Sequence, residues 1–149
     1  MSISLVDMTK SDLVFINSIR NLENTRGQLE NQQVISIEDT ILWFEEKKPK
    51  WKIIKNESDK RIGYVRTSKD TGTSICIGCD IHPEYRRKGY ATETYKNLIN
   101  KLYKAGYRVI WLRCFYDNVA RFLYEKLGFI SINHDMVHNR KYITMIHRR

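Results

Sequence analysis

The chain has 149 residues, 42% hydrophobic and 29% charged, the mix of a single globular domain spanning residues 1–149. With 2 prolines and 7 glycines it leaves no room for a long linker or a collagenous or disordered architecture; residues 1–10 lack the order of a signal peptide, and no stretch approaches the ~20 apolar residues of a membrane span. Lys and Arg number 26 against 17 Asp and Glu, a net charge of +9 that favours polyanionic partners: nucleic acid, phosphorylated cofactors or nucleotide-linked substrates.

In chain order, residues 3–8 read as a short strand. Thr9 or Ser11 caps a helix to about Asn21, with Leu13, Ile16 and Ile19 on one face. Residues 27–33 are polar and read as a loop. Ser36, with Asp39 three residues on, resembles a capping box, and Ile37, Ile41 and Phe44 follow at helical spacing. That helix ends in the basic run 47–50, which suits a helix C-terminus. Residues 51–55 and 61–67 read as strands joined by a turn at 56–60, and Asp70, Thr71 and Gly72 mark a second hairpin turn.

The next strand, 73–82, carries Ile75, Ile77, Cys79 and Ile81 on one face and Cys76, Gly78 and Asp80 on the other. The second face is small or polar, which leaves room beside it. Pro83 stops the strand. After a basic loop a long helix runs over 89–104, ended by Gly106. Residues 107–116 form a strongly apolar strand. Asp117 or Asn118 caps a short helix ending before Gly128, and strands 129–134 and 141–146 close the chain. The order gives a mixed sheet covered by helices, α/β or, in the layer sense, α+β.

Cys76 and Cys79 are spaced like a CxxC pair, but residues three apart on a strand point to opposite faces. No second CxxC or CxxH partner follows, so no metal site is expected. Together with Cys114 they read as free thiols of a cytoplasmic protein.

The informative segment is where strand 73–82 ends and the long helix opens. The N–H groups at a helix N-terminus are unpaired and sit at the positive end of its dipole. Gly89 and Ala91 have little or no side chain, so a phosphate can approach those amides, and Arg86, Arg87 and Lys88 add positive charge. The pattern reads as a pyrophosphate cradle; an ordinary basic loop before a helix is the alternative. Neither a Walker loop nor a GxGxxG fingerprint is present.

Arg86-Arg-Lys-Gly-Tyr-Ala91 resembles the Q/R-x-x-G-x-G/A signature of the GNAT superfamily of acyl-CoA-dependent N-acyltransferases. Residues 120–129, with Tyr124 ahead of Gly128 and Phe129, are similar to its second signature. The resemblance implies a mostly antiparallel sheet of about seven strands flanked by about four helices, splayed between strands four and five. It implies that amides from Arg86 through Gly89, Tyr90, Ala91 and Thr92 hold the pyrophosphate of acetyl-CoA. The pantetheine then lies in the splay along Cys79 and Ile81, with the Ile81 N–H polarising the thioester carbonyl.

Tyr124 on this reading protonates the departing thiolate; by periodicity alone it reads as a core tyrosine. The family asparagine falls at Asp117 here, with Asn118 one place later, and either can fill that position. No carboxylate occupies residues 73–77, where many relatives carry a base. Asp80 is therefore the candidate, as a base through water or as a plain hydrogen-bond acceptor.

For the acceptor, Arg20, Asn21, Arg26, residues 35–38, Trp43, Phe44 and residues 62–66 resemble a GNAT branch that acetylates nucleotide-linked amino sugars. A protein N-terminus or another small primary amine is the alternative. A nucleic-acid-binding module is disfavoured, since no binding signature accompanies the charge. An inactive acyl-CoA-binding scaffold is disfavoured by the intact Gly89, Ala91 and Tyr124. A homodimer stays open.

Overall fold

The structure is a computed structural model that describes residues 2–148, with the side chain of Asp70 outside the described residues. Seven strands form one sheet: β1 (Ile3–Asp7), β2 (Lys52–Asn56), β3 (Arg61–Thr71), β4 (Ser74–Ile81), β5 (Val109–Phe115), β6 (Ile130–Val137) and β7 (Arg140–Arg148). Their order across the sheet is β1-β2-β3-β4-β5-β7-β6. Every neighbouring pair is antiparallel except β4 with β5.

The helices are α1 (Leu13–Arg20), α2 (Glu23–Arg26), α3 (Ile37–Lys47), α4 (Tyr90–Lys104) and α5 (Ala120–Lys126). They cover both faces of the sheet. Leu13, Ile16 and Ile19 of α1 pack with Ile53 and Tyr64, joined by Ile37, Ile41 and Phe44 of α3. Tyr95, Leu98 and Tyr103 of α4 pack with Ile54, Ile62, Val65, Ile75, Ile77 and Ile81, joined by Leu123 and Tyr124 of α5. Adjacent residues such as Ile53 and Ile54 enter opposite cores, as period-2 alternation requires.

Local chemistry accounts for most boundaries. The Ser36 Oγ accepts the Asp39 N–H at 3.1 Å, the capping contact expected for α3. A short 3-10 turn (Lys10–Asp12) precedes α1, and the Thr9 N–H donates to Asp12 Oδ2 at 2.9 Å. Helix α2 was not expected: its four residues are too few to show an apolar period. The second hairpin turns at Gly72, one step later than expected, with Thr71 opposite Ser74. The β6 and β7 strands are longer than expected because they meet at a two-residue turn. His138 (φ 49°) and Asn139 (φ 61°) both adopt positive φ there, and that turn lacks the glycine that would have announced it.

The feature that positions the site is the join between β4 and β5. Ser74, Ile75 and Cys76 lie opposite Val109, Ile110 and Trp111, and the pairing stops there. Strand β4 runs on to Ile81 held only by β3, and β5 runs on to Phe115 held only by β7. Beyond Cys76 the two strands splay. Among the described residues, no helix is long and apolar enough to cross a membrane.

Candidate active site

The splay leaves one edge of β4 open, and hydrogen-bond alternation decides which amides face it. The His82 N–H donates to the Ile62 carbonyl at 2.7 Å, so that pair is hydrogen-bonded across the β3–β4 ladder. Counting back through the register, Asp80–Tyr64 and Gly78–Arg66 are bonded pairs too. Ile81–Gly63 and Cys79–Val65 are then the non-bonded pairs, and the backbone groups of Cys79 and Ile81 point away from β3 into the splay. Cys79 and the Ile81 N–H therefore face the splay, while the Ile81 carbonyl accepts from Arg86 Nε at 2.7 Å.

A cavity of about 620 Å³ continues from this edge, lined by Ile81, Tyr85, Arg86, Arg87, Gly89, Tyr90, Ala91, Thr92, Lys96, Phe122, Leu123, Lys126 and Leu127. Its floor is the N-terminus of α4. Gly89 caps that helix at φ 91°, a conformation that costs a side-chain-bearing residue about 1–2 kcal/mol. The exposed Arg87 and Lys88 flank the mouth, and Lys96 and Lys126 add charge along the wall. A long ligand with a diphosphate and an apolar, amide-bearing tail fits this combination: cationic rim, helix amides, apolar wall and open strand edge.

One expectation for the cradle needs correction. Arg86 is committed to the protein, its Nε donating to the Ile81 carbonyl at 2.7 Å and its terminal nitrogen to Thr25 Oγ1 at 2.9 Å. It anchors α2 to the end of β4 rather than offering a free cation. The Tyr90 ring is buried and its hydroxyl donates to Glu57 at 2.9 Å, which leaves its backbone to face the cavity.

The room beside Gly78 and Asp80 is also filled. The Arg66 guanidinium lies across β4 so closely that a Cβ at Gly78 would stand 2.5 Å from one of its nitrogens. Its Nε donates to Asp80 Oδ2 at 3.1 Å, and the Asp80 carboxylate raises the Arg66 pKa further above its ordinary value, against the opposing effect of burial. One carboxylate oxygen of Asp80 is thereby occupied, which favours the acceptor role over the free base.

Tyr124 projects from α5 into the wedge, within electrostatic reach of Cys79 on β4 and Cys114 on β5. Its hydroxyl lies 3.3 Å from that of Tyr95 on α4, and the two rings meet edge to face at 5.3 Å. Burial raises the Tyr124 pKa well above the ordinary phenol range, so the group keeps its proton across the working pH range. The thiols are just as inert: burial pushes Cys79 up to about 12 and Cys114 up to about 11. Neither provides the thiolate that nucleophilic catalysis needs.

At the start of α5 the choice between Asp117 and Asn118 narrows. Asp117 is ion-paired to Arg140 at 2.7 Å, which lowers its pKa. The Asn118 side-chain oxygen accepts the Ala120 N–H at 2.9 Å, and its amide is a donor of a kind that the Asp117 carboxylate cannot supply.

On the α1/α3 face lies a second cavity of about 670 Å³, lined by Ile16, Asn17, Arg20, Leu29, Glu30, Asn31, Ile35, Asp39, Thr40, Trp43, Trp51, Arg66 and Tyr142. Arg66 lines this cavity and also lies across Gly78 of β4. Trp43 and Trp51 pack with centroids 4.6 Å apart, and Trp51 stacks on Tyr64 at 5.6 Å. Arg20 reaches the carbonyls of Gln33 and Asn31 at 3.1 and 2.7 Å, while Asn21 bonds both backbone groups of Ile35. Arg26 bonds the carbonyls of Asn21 and Gln32. These residues shape the loop 27–36 into a cavity wall. Glu30, Trp51 and Tyr142 were not singled out from sequence; they come from three separate segments and share no local pattern, while Tyr95 reads there only as part of the helix face it shares with Leu98 and Leu102.

The family model of the GNAT acetyltransferases matches residues 16–129. The [ribosomal protein bS18]-alanine N-acetyltransferase of Haemophilus influenzae is 33% identical over 82 residues. That alignment spans 55% of this chain and only 55%, about half, of that relative's length. Spermidine N-acetyltransferase from Vibrio cholerae, solved with CoA and spermine, superimposes with a TM-score of 0.92 at 18% identity, over 99% of this chain and 95% of its own. The yncA protein of Salmonella typhimurium, solved with acetyl-CoA, gives 0.79 at 16% identity over 99% and 94%. The family match covers both signature segments, the helix mouth at Gly89 and the Tyr124 helix, along with the splay between them, and the chain is therefore a member of the GNAT acetyltransferase family.

Proposed function

We propose that this protein transfers an acetyl group from acetyl-CoA to a primary amine by direct attack. The observation that carries the reading is the open β4 edge at Cys79 and Ile81, continuous with the amide-lined mouth of α4. Acetyl-CoA supplies an activated thioester; an uncharged amine attacks its carbonyl carbon, the C–S bond breaks, and the nitrogen releases its extra proton to solvent.

The chain's own groups supply the rest. Amides at Gly89, Ala91 and Thr92, with Arg87 and Lys88, hold the diphosphate. The Ile81 N–H faces the carbonyl oxygen as it gains negative charge. Tyr124 gives its proton to the departing sulfur. Asn118 is the better fit to the asparagine position, and Asp80 orders Arg66 on the wall of the second cavity. With both wedge thiols protonated, no acetyl-cysteine forms. Intact-mass analysis of acid-quenched turnover should find only the unmodified chain; an acetylated Cys79 or Cys114 overturns direct attack.

The acceptor we propose is an amino sugar, carried on a nucleotide. The 670 Å³ cavity offers Trp43, Trp51 and Tyr142 as flat apolar surface and Asn17 and Asn31 as amide side chains, the pairing that suits a sugar ring with hydroxyls. Its two guanidiniums, Arg20 and Arg66, balance its two carboxylates, Glu30 and Asp39. A polyamine such as spermidine, the substrate of the Vibrio relative, carries several positive charges and would call for a carboxylate excess. The alanine N-terminus of a ribosomal protein, the substrate of the Haemophilus relative, is the second reading, supported by the sequence match alone.

CoA release measured across nucleotide-linked amino sugars, free amino sugars, polyamines and alanyl peptides tests the assignment. The nucleotide-linked sugars should give the highest kcat/KM, and Trp51→Ala should lower it roughly tenfold or more through KM. A polyamine or peptide turning over fastest overturns the sugar reading and leaves the acetyl-transfer reading in place.

A further inference from the structure

Three elements converge on the tip of Tyr124, and Tyr95 is the one that touches its hydroxyl. Tyr95 stands mid-helix on α4 and is only 2% exposed. Its hydroxyl is 3.3 Å from the Tyr124 hydroxyl, with Cys79 of β4 close by. By its spacing with Leu98 and Leu102 it is a core residue, and a phenylalanine would fill that role without carrying a buried hydroxyl that needs a partner.

We propose that Tyr95 is a positioning residue for the acid step, a reading that rests on the assignment of Tyr124 as proton donor. The direction of the bond follows from the chemistry. Tyr124 can give its proton to the sulfur only when its O–H points into the cleft, so its oxygen must be the acceptor in the Tyr95 contact. Tyr95 is therefore the donor. As the C–S bond breaks, the Tyr124 O–H bond breaks and an S–H bond forms. The electron pair left on the Tyr124 oxygen is met by the Tyr95 O–H, and solvent later restores the proton. The edge-to-face contact at 5.3 Å and the packing of Tyr124 against Phe129 hold the ring so that this one orientation persists.

The phenol's pKa lies too high for a pH limb to report on it, so the test is a double-mutant cycle in kcat. Tyr95→Phe keeps the ring and its packing, and melting curves of each variant establish that the fold is retained. With the best acceptor from the panel, Tyr95→Phe should lower kcat about tenfold, the size of one net hydrogen bond, with KM for acetyl-CoA unchanged. In the Tyr124→Phe background the same substitution should cost nothing further, because Tyr95 acts only through Tyr124. An equal loss in both backgrounds shows a packing role and overturns the proposal. A wild-type rate for Tyr95→Phe beside a slow Tyr124→Phe overturns the proposal alone. A wild-type rate for Tyr124→Phe overturns the acid assignment and this proposal with it.

Discussion

Replacing Gly89 with glutamate is expected to weaken CoA binding roughly 100-fold or more, about 3 kcal/mol. Two effects add. Gly89 sits at φ 91° as the cap of α4, where any L-residue is strained by about 1–2 kcal/mol. The new carboxylate also stands where a diphosphate must approach the first amides of the helix and repels it. Gly89→Ala separates the two contributions and should cost roughly tenfold, the backbone share alone. Titration calorimetry with CoA measures both, and melting curves establish that the helix is still formed. Affinity within a factor of ~2 of wild type for the glutamate variant would place the phosphates elsewhere.

Tyr124→Phe should reduce kcat by roughly 100-fold while leaving the KM for acetyl-CoA nearly unchanged, the signature of an interaction made in the transition state. The size follows from the leaving group: an alkyl thiolate is a poor one in a water-poor wedge without a proton. Burial holds the Tyr124 pKa above the ordinary phenol value. Sign and range follow from that direction: the protonated form is the active one, and it persists up to and beyond the ordinary value of ~10. The deficit should therefore be level from roughly pH 6 to pH 9 rather than confined to one limb. A Tyr124→Phe enzyme that matches wild type throughout this range removes the phenol from the mechanism.

The local parts of the site were legible because they rest on local rules. A glycine between a basic loop and an amphipathic run marks a helix mouth, and Gly89 caps α4 as that pattern predicts. Ser36 three residues ahead of Asp39 marks the start of α3. The alternation of Ile75, Ile77 and Ile81 identified the buried face of β4. The fate of the charges was not legible. Arg86 and Arg87 are neighbours of one type, yet one bonds the Ile81 carbonyl and Thr25 while the other remains exposed. That difference depends on where α2 docks, which no pattern in residues 86–91 encodes.

By itself, then, the order of amino acids determined the family, the order of the strands and longer helices, and the glycine-capped entrance of α4, because each depends on neighbours a few positions apart. Only the tertiary structure decided that the β4–β5 pairing ends at Cys76 and Trp111, that Arg66 fills the small-residue face of β4, and that Tyr95 meets Tyr124. Those contacts join segments distant along the chain, and their energies depend on packing and hydrogen-bond geometry that exist only once the sheet has formed.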